Sequence, residues 1–551
     1  MWSSLYERAR REGGSLSAWL AAALLSLPAL FFPISNPDLF WHLSAGRWMI
    51  ESGVLPRQDF LSFTRYGQPW LNFEWLSQWV FEQIFRHGGF TGLWLFKAAT
   101  LAAAGLLLDR TLGIRGASLG WRAAGLALWS TAILPYSDIR PENFSILLLA
   151  ACLCLIERRR VRGFPWSPAH FMGWAALFAL WSNLHPGFLL AFPLLACYGL
   201  CHRESRFAAD MAIAGLAGLA ATLINPYGVA PWLAIMEHLG QGAQIGRYIN
   251  EWRGLSLGHP LFWPFIAFES ALALLLCLSI FRSRNMAGSS ALALAWIGLA
   301  AASLRHRRLV PYWGLLSVPL FLALVGVIPR IWLKRAALTA AACYALYFVW
   351  LFPRVSWTAR INAGQLPVGA AGFMERERGL FEGKRVYNQW EWGGYLGWRL
   401  HPWHKVFFDG RALFHPDLVE TAKAGESSGL WIDYMRRGGF AAALLPNRDI
   451  RFPSTRLYRD GSKRDFQRPW YLYYMPRESW ALVYWDAQAL LFVDRKAFLP
   501  RWLARHEYRY WRPKDEAAFA DALARGEMPQ RVLAKERRRQ QSDSAMSLID
   551  P

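Results

Sequence analysis

Two acids and a histidine in one hydrophilic stretch, with four consecutive basic residues far downstream, are the side chains of this sequence best placed to do chemistry. Asp38 stands in NPDLFWH with His42 four positions on, and Glu74 follows in the same stretch, at the head of EWLSQWVFEQIF. A carboxylate half in water stays ionised, and Asp38 and His42 share a face if a helix starts here. Asn36 or Asp38 would serve equally well as the N-cap of that helix, so capping and chemistry are both open. Arg305, His306, Arg307 and Arg308 form the kind of cation cluster that holds a phosphate. Lys97 sits inside an apolar run, where it either snorkels to the surface or meets an anionic lipid headgroup. Glu251 and Trp252, an acid beside an aromatic surface, suit a sugar, with an interfacial tryptophan and a solvated acid as the alternative. Asn183, His185, Asn225 and Tyr227 lie in NLHPG and INPYG and complete the candidate substrate-binding set, although such positions also cap helix ends.

The elements that must position these residues are hydrophobic. The 551-residue chain is 54% hydrophobic with 31 Trp, unusual for a water-soluble protein. Apolar runs of about 16 to 22 residues, the length that crosses ~30 Å of hydrocarbon, recur up to Phe352 and then stop. About eleven spans are expected, near 17–34, 90–108, 123–137, 143–156, 168–184, 187–201, 207–224, 261–281, 288–303, 309–328 and 336–352. With the N-terminus inside, the inner connections hold Arg110, Arg115 and Arg122, then Arg158 to Arg162, Arg203 and Arg206, Arg282 and Arg284, and Arg330, Lys334 and Arg335. Each is basic, as the positive-inside rule requires, so the net charge of +22 reflects membrane topology and not nucleic-acid binding. An odd span count puts the C-terminal part outside.

That assignment gathers the unusual polar segments on one outer face: 36–89, SDIRPEN at 137–143, NLHPG, the loop from Ile224 to Pro260, and LRHRR. The six Cys all fall in apolar runs and read as small core residues, not as a disulfide framework. The basic N-terminus precedes an apolar run without a small-residue cleavage pattern, so an uncleaved first span is expected.

After residue 352 the sequence turns to short strand-like and helical runs. KRVYNQW, EWGGYLGWRL and KVFFDGR, then a helical stretch through Asp433–Arg437, FAAALLP, WALVYWD, ALLFVDR and a helix near 498–506 describe a small α/β domain. NQWEWGGYL and DGR read as turn and strand-end features, and Gly393 and Gly394 fail the phosphate-loop pattern. The expected organisation is an all-α polytopic membrane domain over 1–352 with a long first outer loop at 36–89, an extracytoplasmic α/β domain over 353–534, and a disordered tail over 535–551.

The acid just after the first span, the sequence GRWMIESGVLPRQDFLSFT, a second acid before an interfacial helix and a cation in the next span together resemble the GT-C superfamily of polytopic glycosyltransferases. The resemblance is best over Asp38–Leu107 and weaker beyond it, where WSNLHPGF, INPYG, INEW and LRHRR look like features of one bacterial branch. It implies a donor sugar on a polyprenyl phosphate, a glycan, lipid or protein acceptor, and an inner-membrane location with the N-terminus in the cytoplasm. It also implies Asp38 as catalytic base, supported by His42 or Glu74, with Lys97 and Arg305–Arg308 holding the lipid phosphate. Many members carry two adjacent acids in the first loop, whereas here Leu39 follows Asp38 and the second acid is distant. A divalent cation, Mg²⁺ or Mn²⁺ on Asp38 and Glu74, is thus left open. A transporter or flippase of lipid-linked sugars, for which Glu269 inside a span is the one good candidate, and a non-catalytic scaffold are the competing readings.

The topology is directly testable. Alkaline phosphatase fused to the C-terminus is expected to be active in intact cells and green fluorescent protein fused there to be dark; the reverse pair of results would put that end inside.

Overall fold

The computed structural model describes residues 26, 29–249, 252–281, 289–325, 330–357, 359–458 and 460–546. Helices dominate, at 65% of the described residues, and a small sheet-containing region follows them. A helix stands at each expected span from 90–108 to 336–352, while the span at 17–34 lies largely outside the described residues. Among the described residues, only Trp75–Ile114 and Pro260–Phe281 are by themselves long and apolar enough to cross a bilayer; Pro186–Cys201 and Ser290–Arg305 are apolar but shorter. The structure therefore carries a helical assembly without carrying the count of eleven.

Two compact units form, one from Met1–Asn36 with Leu71–Ile361, the other from Pro37–Trp70 with Asn362–Pro551. This redraws the expected organisation, because most of the first loop belongs with the C-terminal region and not with the helices.

In the helical unit, Trp75–Ile114 runs through a break at Gly89. Its end meets Glu142–Arg162 through Arg115–Glu157 at 2.7 Å, and Arg160 closes on the same Glu157, also at 2.7 Å. Arg159 binds Asp210 at 2.6 Å, and Arg122 pairs with Asp109. Arg115, Arg122, Arg159 and Arg160 of the expected inner connections thus have acids as partners and tie helix ends together. The core between the helices is aromatic, with Phe178, Trp181, Phe188 and Tyr198 almost fully enclosed. Outward-facing positions are apolar too: Leu200 is 82% and Phe281 84% exposed, and Leu106, Leu216 and Leu274 are exposed likewise. Glu269 is buried and accepts Trp296 Nε1–H at 2.9 Å.

The second unit contains a four-stranded sheet: β1 (Val386–Asn388), β2 (Ala442–Pro446), β5 (Trp480–Trp485) and β6 (Ala489–Asp494), in the order β1-β2-β6-β5, with β1 and β2 parallel and the remaining pairs antiparallel. β3 (Arg451–Leu457) and β4 (Lys463–Pro469) form a separate antiparallel hairpin that the sequence reading did not anticipate. EWGGYLGWRL, grouped among strand-like and helical runs, is a helix over Gly393–Leu400, and KVFFDGR contributes only a single bridge, Ser62 to Val406. The supposed disordered tail is a helix, Gln530–Met546, wherever it is described. It is held because the Glu536 carboxylate accepts the backbone N–H groups of Arg509, Tyr510 and Trp511 at 2.7–3.0 Å.

Residues 37–70 join this unit through a buried ion cluster. Arg411 Nη2 donates to Asp59 at 2.6 Å and to Asp409 at 2.8 Å, and its guanidinium lies 4.6 Å from the Trp70 ring centre. Asp59 also accepts from Ser62 Oγ at 2.6 Å. Removing one partner of such a cluster strands charges away from water, so Arg411→Ala is expected to cost about 3–5 kcal/mol. Arg436→Ala, at a surface pair, should leave thermal unfolding unchanged. Equal unfolding midpoints for the two variants would contradict this.

Candidate functional site

Asp38 and His42 lie in the second unit; Glu74, Lys97, Asn183, His185, Asn225, Tyr227, Trp252 and Arg305–Arg308 lie in the helical unit. Glu251 is outside the described residues.

The helix Leu39–Ser52 starts where the sequence places it, with Asp38 in the N-cap position, yet the Asp38 side chain does not cap. It accepts Trp41 Nε1–H at 3.1 Å instead. The backbone of the DGR turn closes the other side, for a Cβ on Gly410 would lie 1.9 Å from Asp38 Oδ1. Only glycine lets the chain come this near. Gly393 is used in the same way, its missing Cβ falling 1.8 Å from Phe408 O. The turn and strand-end motifs of the C-terminal region are therefore the cradle of the first-loop acid. His42 is buried with its ring 3.6 Å from that of Trp41. Asp38 is half-buried, a carboxylate fixed in direction but reachable.

In the helical unit, the connection from Tyr136 to Glu142 is the hub. Lys97 is fully enclosed and donates to Ser137 O at 3.1 Å, to Ser137 Oγ at 3.3 Å and to Phe32 O. An ammonium has three donors, so Lys97 is occupied as a strut, and its expected role as a lipid-phosphate ligand is corrected to one of positioning. Asp138 beside it accepts Ser35 N–H at 2.9 Å and Ile139 N–H at 2.8 Å. Burial pushes its carboxyl above the ordinary carboxylate range, against the opposing pull of Arg140 and Lys97.

The same connection reaches the basic cluster. Glu142 lies 3.5 Å from Arg308, and Tyr136 Oη donates to Arg307 O. His306 and Trp252 are brought together, His306 Nδ1 standing 3.1 Å from Trp252 O with the two rings edge to face. Arg307 N–H donates to Arg253 O at 2.9 Å, so the 252–254 strip and the LRHRR segment pack together. Arg305 is exposed and Arg307 and Arg308 half-buried, which leaves their guanidinium groups accessible to an anion.

A second chain of contacts leads away from Glu142 along its own helix. Ser145 Oγ is 2.8 Å from His185 Nδ1, and His185 Nε2 is 3.8 Å from Glu74. Asn183 accepts Trp75 Nε1–H at 2.8 Å and donates to Ile224 O at 2.8 Å, fastening the start of the Trp75–Ile114 helix to the INPYG turn. Asn225 is used locally: its side chain accepts Tyr227 N–H at 2.7 Å and donates to Gly228 O at 2.9 Å. Asn183 and Asn225 thus each hold backbone.

Asp138 and Glu142 were missed as site residues. SDIRPEN was noted as a connection, and two acids inside one short link between apolar runs were the available signal. Among the described residues no group of three or more His, Cys, Asp or Glu is placed to hold a metal, and Asp38 and Glu74 lie in different units.

No family model and no curated protein matches this sequence. Among solved structures the chain is similar to ArnT from Cupriavidus metallidurans in the apo state, at 17% identity and a TM-score of 0.47 over 89% of this chain and 100% of that one. It is also similar to ArnT from Cupriavidus metallidurans bound to undecaprenyl phosphate, at 17% identity and a TM-score of 0.46 over 89% and 99% of the two chains.

If Glu142 and Arg308 act as a unit, Glu142→Gln and Arg308→Gln will not be additive. A double-mutant cycle on thermal stability is expected to show a coupling of about 0.5–3 kcal/mol; a coupling of zero would mean that the pair does no joint work.

Proposed function

We propose that this protein is a membrane glycosyltransferase of GT-C type that moves a sugar from a polyprenyl-phosphate carrier to a hydroxyl acceptor on the extracytoplasmic side. Exposed leucine and phenylalanine on the helical unit support a lipid environment, since apolar surface of this extent in water marks contact with another apolar phase. Undecaprenyl phosphate, named with one of the solved neighbours, is a carrier of the proposed class. Glu269, the residue on which a transporter reading depends, accepts Trp296 Nε1–H through one oxygen, while its other oxygen is buried without a hydrogen bond.

The observation that carries the proposal is the setting of Asp38, whose carboxylate is released from capping and held by Trp41 and the DGR turn. In the proposed reaction Asp38 accepts the proton of the acceptor hydroxyl as its oxygen attacks the anomeric carbon of the donor. The bond from that carbon to the carrier phosphate breaks, and the phosphate leaves with the electron pair. A single displacement of this kind inverts the anomeric centre. Within the helical unit, Arg305, Arg307 and Arg308 are the cations suited to a carrier phosphate, as fixed cations stabilise charge that develops in a transition state. His306 and Trp252 shape the same region, Lys97 fixes the connection that carries Asp138, and no step is routed through a metal.

A positioned base contributes about 10²- to 10⁴-fold. Asp38→Asn in membranes supplied with a radiolabelled polyprenyl-phosphate sugar is expected to lose transfer by that factor at an unchanged unfolding temperature. Full activity in a folded Asp38→Asn protein would end the proposal.

A further inference from the structure

Far along the chain from Asp38, the second unit contains a pocket of about 210 Å³ whose lining includes Asn447, Trp485, Trp511, Arg512, Lys514 and Phe519. That is smaller than the roughly 300–1,000 Å³ of sites for drug-sized ligands, and suits one ring with a substituent. The polar groups here are unusual in a shared way. Trp485 Nε1, Trp511 Nε1, both terminal nitrogens of Arg512, and Asn447 Oδ1 are buried without a hydrogen-bond partner. Such unanswered atoms are costly to bury, and all of them belong to residues that line one pocket, which points to a ligand that answers them.

The unanswered groups are four donors from three side chains and one acceptor, so the ligand must be rich in acceptors and carry at least one hydroxyl. Arg512 is 6% exposed, and its Nε is committed to Tyr508 O at 2.9 Å. Burial and neighbouring Arg477 bring its pKa down to about 10, against the weaker opposing pull of Tyr471, Glu507 and Glu536. The carboxylates nearby are already engaged. Asp486 accepts from Tyr484 Oη at 2.7 Å and from the backbone of Gln488 and Ala489 at 2.8 Å, while Glu516 accepts Lys514 N–H at 3.0 Å. Lys514 holds a left-handed backbone, φ 63°, the only non-glycine residue among those described to do so. Strain of this kind persists where the surroundings over-determine it, and it gathers at binding sites. Its Nζ donates to Asn447 O at 2.7 Å, and Asn447 Nδ2 to Asp486 O at 2.7 Å, joining opposite sequence segments of the wall. The Arg509–Trp511 strip is pinned by Glu536 from the last helix, so the wall is preorganised.

We propose that this pocket binds a single acidic sugar residue, with the Arg512 guanidinium on its anionic group, the indole N–H groups of Trp485 and Trp511 on its oxygens, and Asn447 on one of its hydroxyls. Aromatic rings bring apolar faces to a sugar and a planar guanidinium brings two parallel donors to a carboxylate or phosphate. The site is independent of the transfer chemistry and needs no donor lipid.

The test is calorimetric titration of the full chain in phosphatidylcholine nanodiscs, without donor lipid, using glucuronate, glucose 1-phosphate, glucose and inorganic phosphate. Either or both acidic sugars are expected to bind at least about tenfold tighter than glucose and than phosphate alone, and the comparison of the two identifies a carboxylate or a phosphate ligand. Arg512→Lys and Trp511→Leu should each weaken that binding about tenfold or more at unchanged unfolding temperature. Should Arg512→Lys fail to fold, Lys514→Asn, which tolerates the left-handed backbone, is expected to weaken binding because it releases Asn447. The proposal is overturned if neither acidic sugar binds at millimolar concentration, if glucose binds as well as they do, or if the folded variants keep full affinity.

Discussion

The guanidinium of Arg411, closed between Asp59 and Asp409 and laid over Trp70, is the interaction on which the second unit depends. One cation serves two carboxylates that are 350 residues apart in sequence, and all three groups are buried. Such a cluster is weak evidence for stability in itself, because desolvation offsets most of its attraction. What it determines is register. A buried guanidinium tolerates its carboxylates in one geometry, so it fixes where 57–70 lies against 405–417, and with it the path of the helix that begins at Leu39.

Asp38 inherits its setting from that register. Its carboxylate is positioned by contacts that reach it from two sides, the indole of Trp41 on its own helix and the backbone of Gly410, one residue from Arg411. The turn that supplies the cation also supplies the close approach. A loop acid would ordinarily sample many rotamers in water; here packing selects one. In the helical unit a comparable economy holds, since the short connection 136–142 is bonded to Arg307 and Lys97 at its start and to Arg308 at its end.

The helices were legible because run length and apolar composition report directly on a backbone that must satisfy its own hydrogen bonds in hydrocarbon. Strands β1, β2, β5 and β6 were legible for a related reason, as short apolar runs between turns. The partnership of 37–70 with the C-terminal region was not, because Asp59 and Arg411 carry no local mark of one another. Gly393 and Gly410 looked like ordinary turn residues, and the significance of a missing Cβ emerges only when the opposing atom is known. Lys97 was legible as an anomaly but not as a strut, since its acceptors, two of them backbone carbonyls, come from distant segments. The final helix was misjudged on composition, which is polar throughout, while its attachment rests on Glu536 and on Asp543, which accepts Tyr508 Oη at 2.8 Å.

The division of the second unit between 37–70 and 362–551 also sets a schedule for its assembly. The first piece leaves the ribosome roughly 290 residues before the second begins, a delay of about 15–60 s at ~5–20 residues per second. Throughout that interval Phe40, Trp41, Phe60 and Trp70 lack the surfaces that will cover them. Loop closure across this separation is the slowest kind of contact to form.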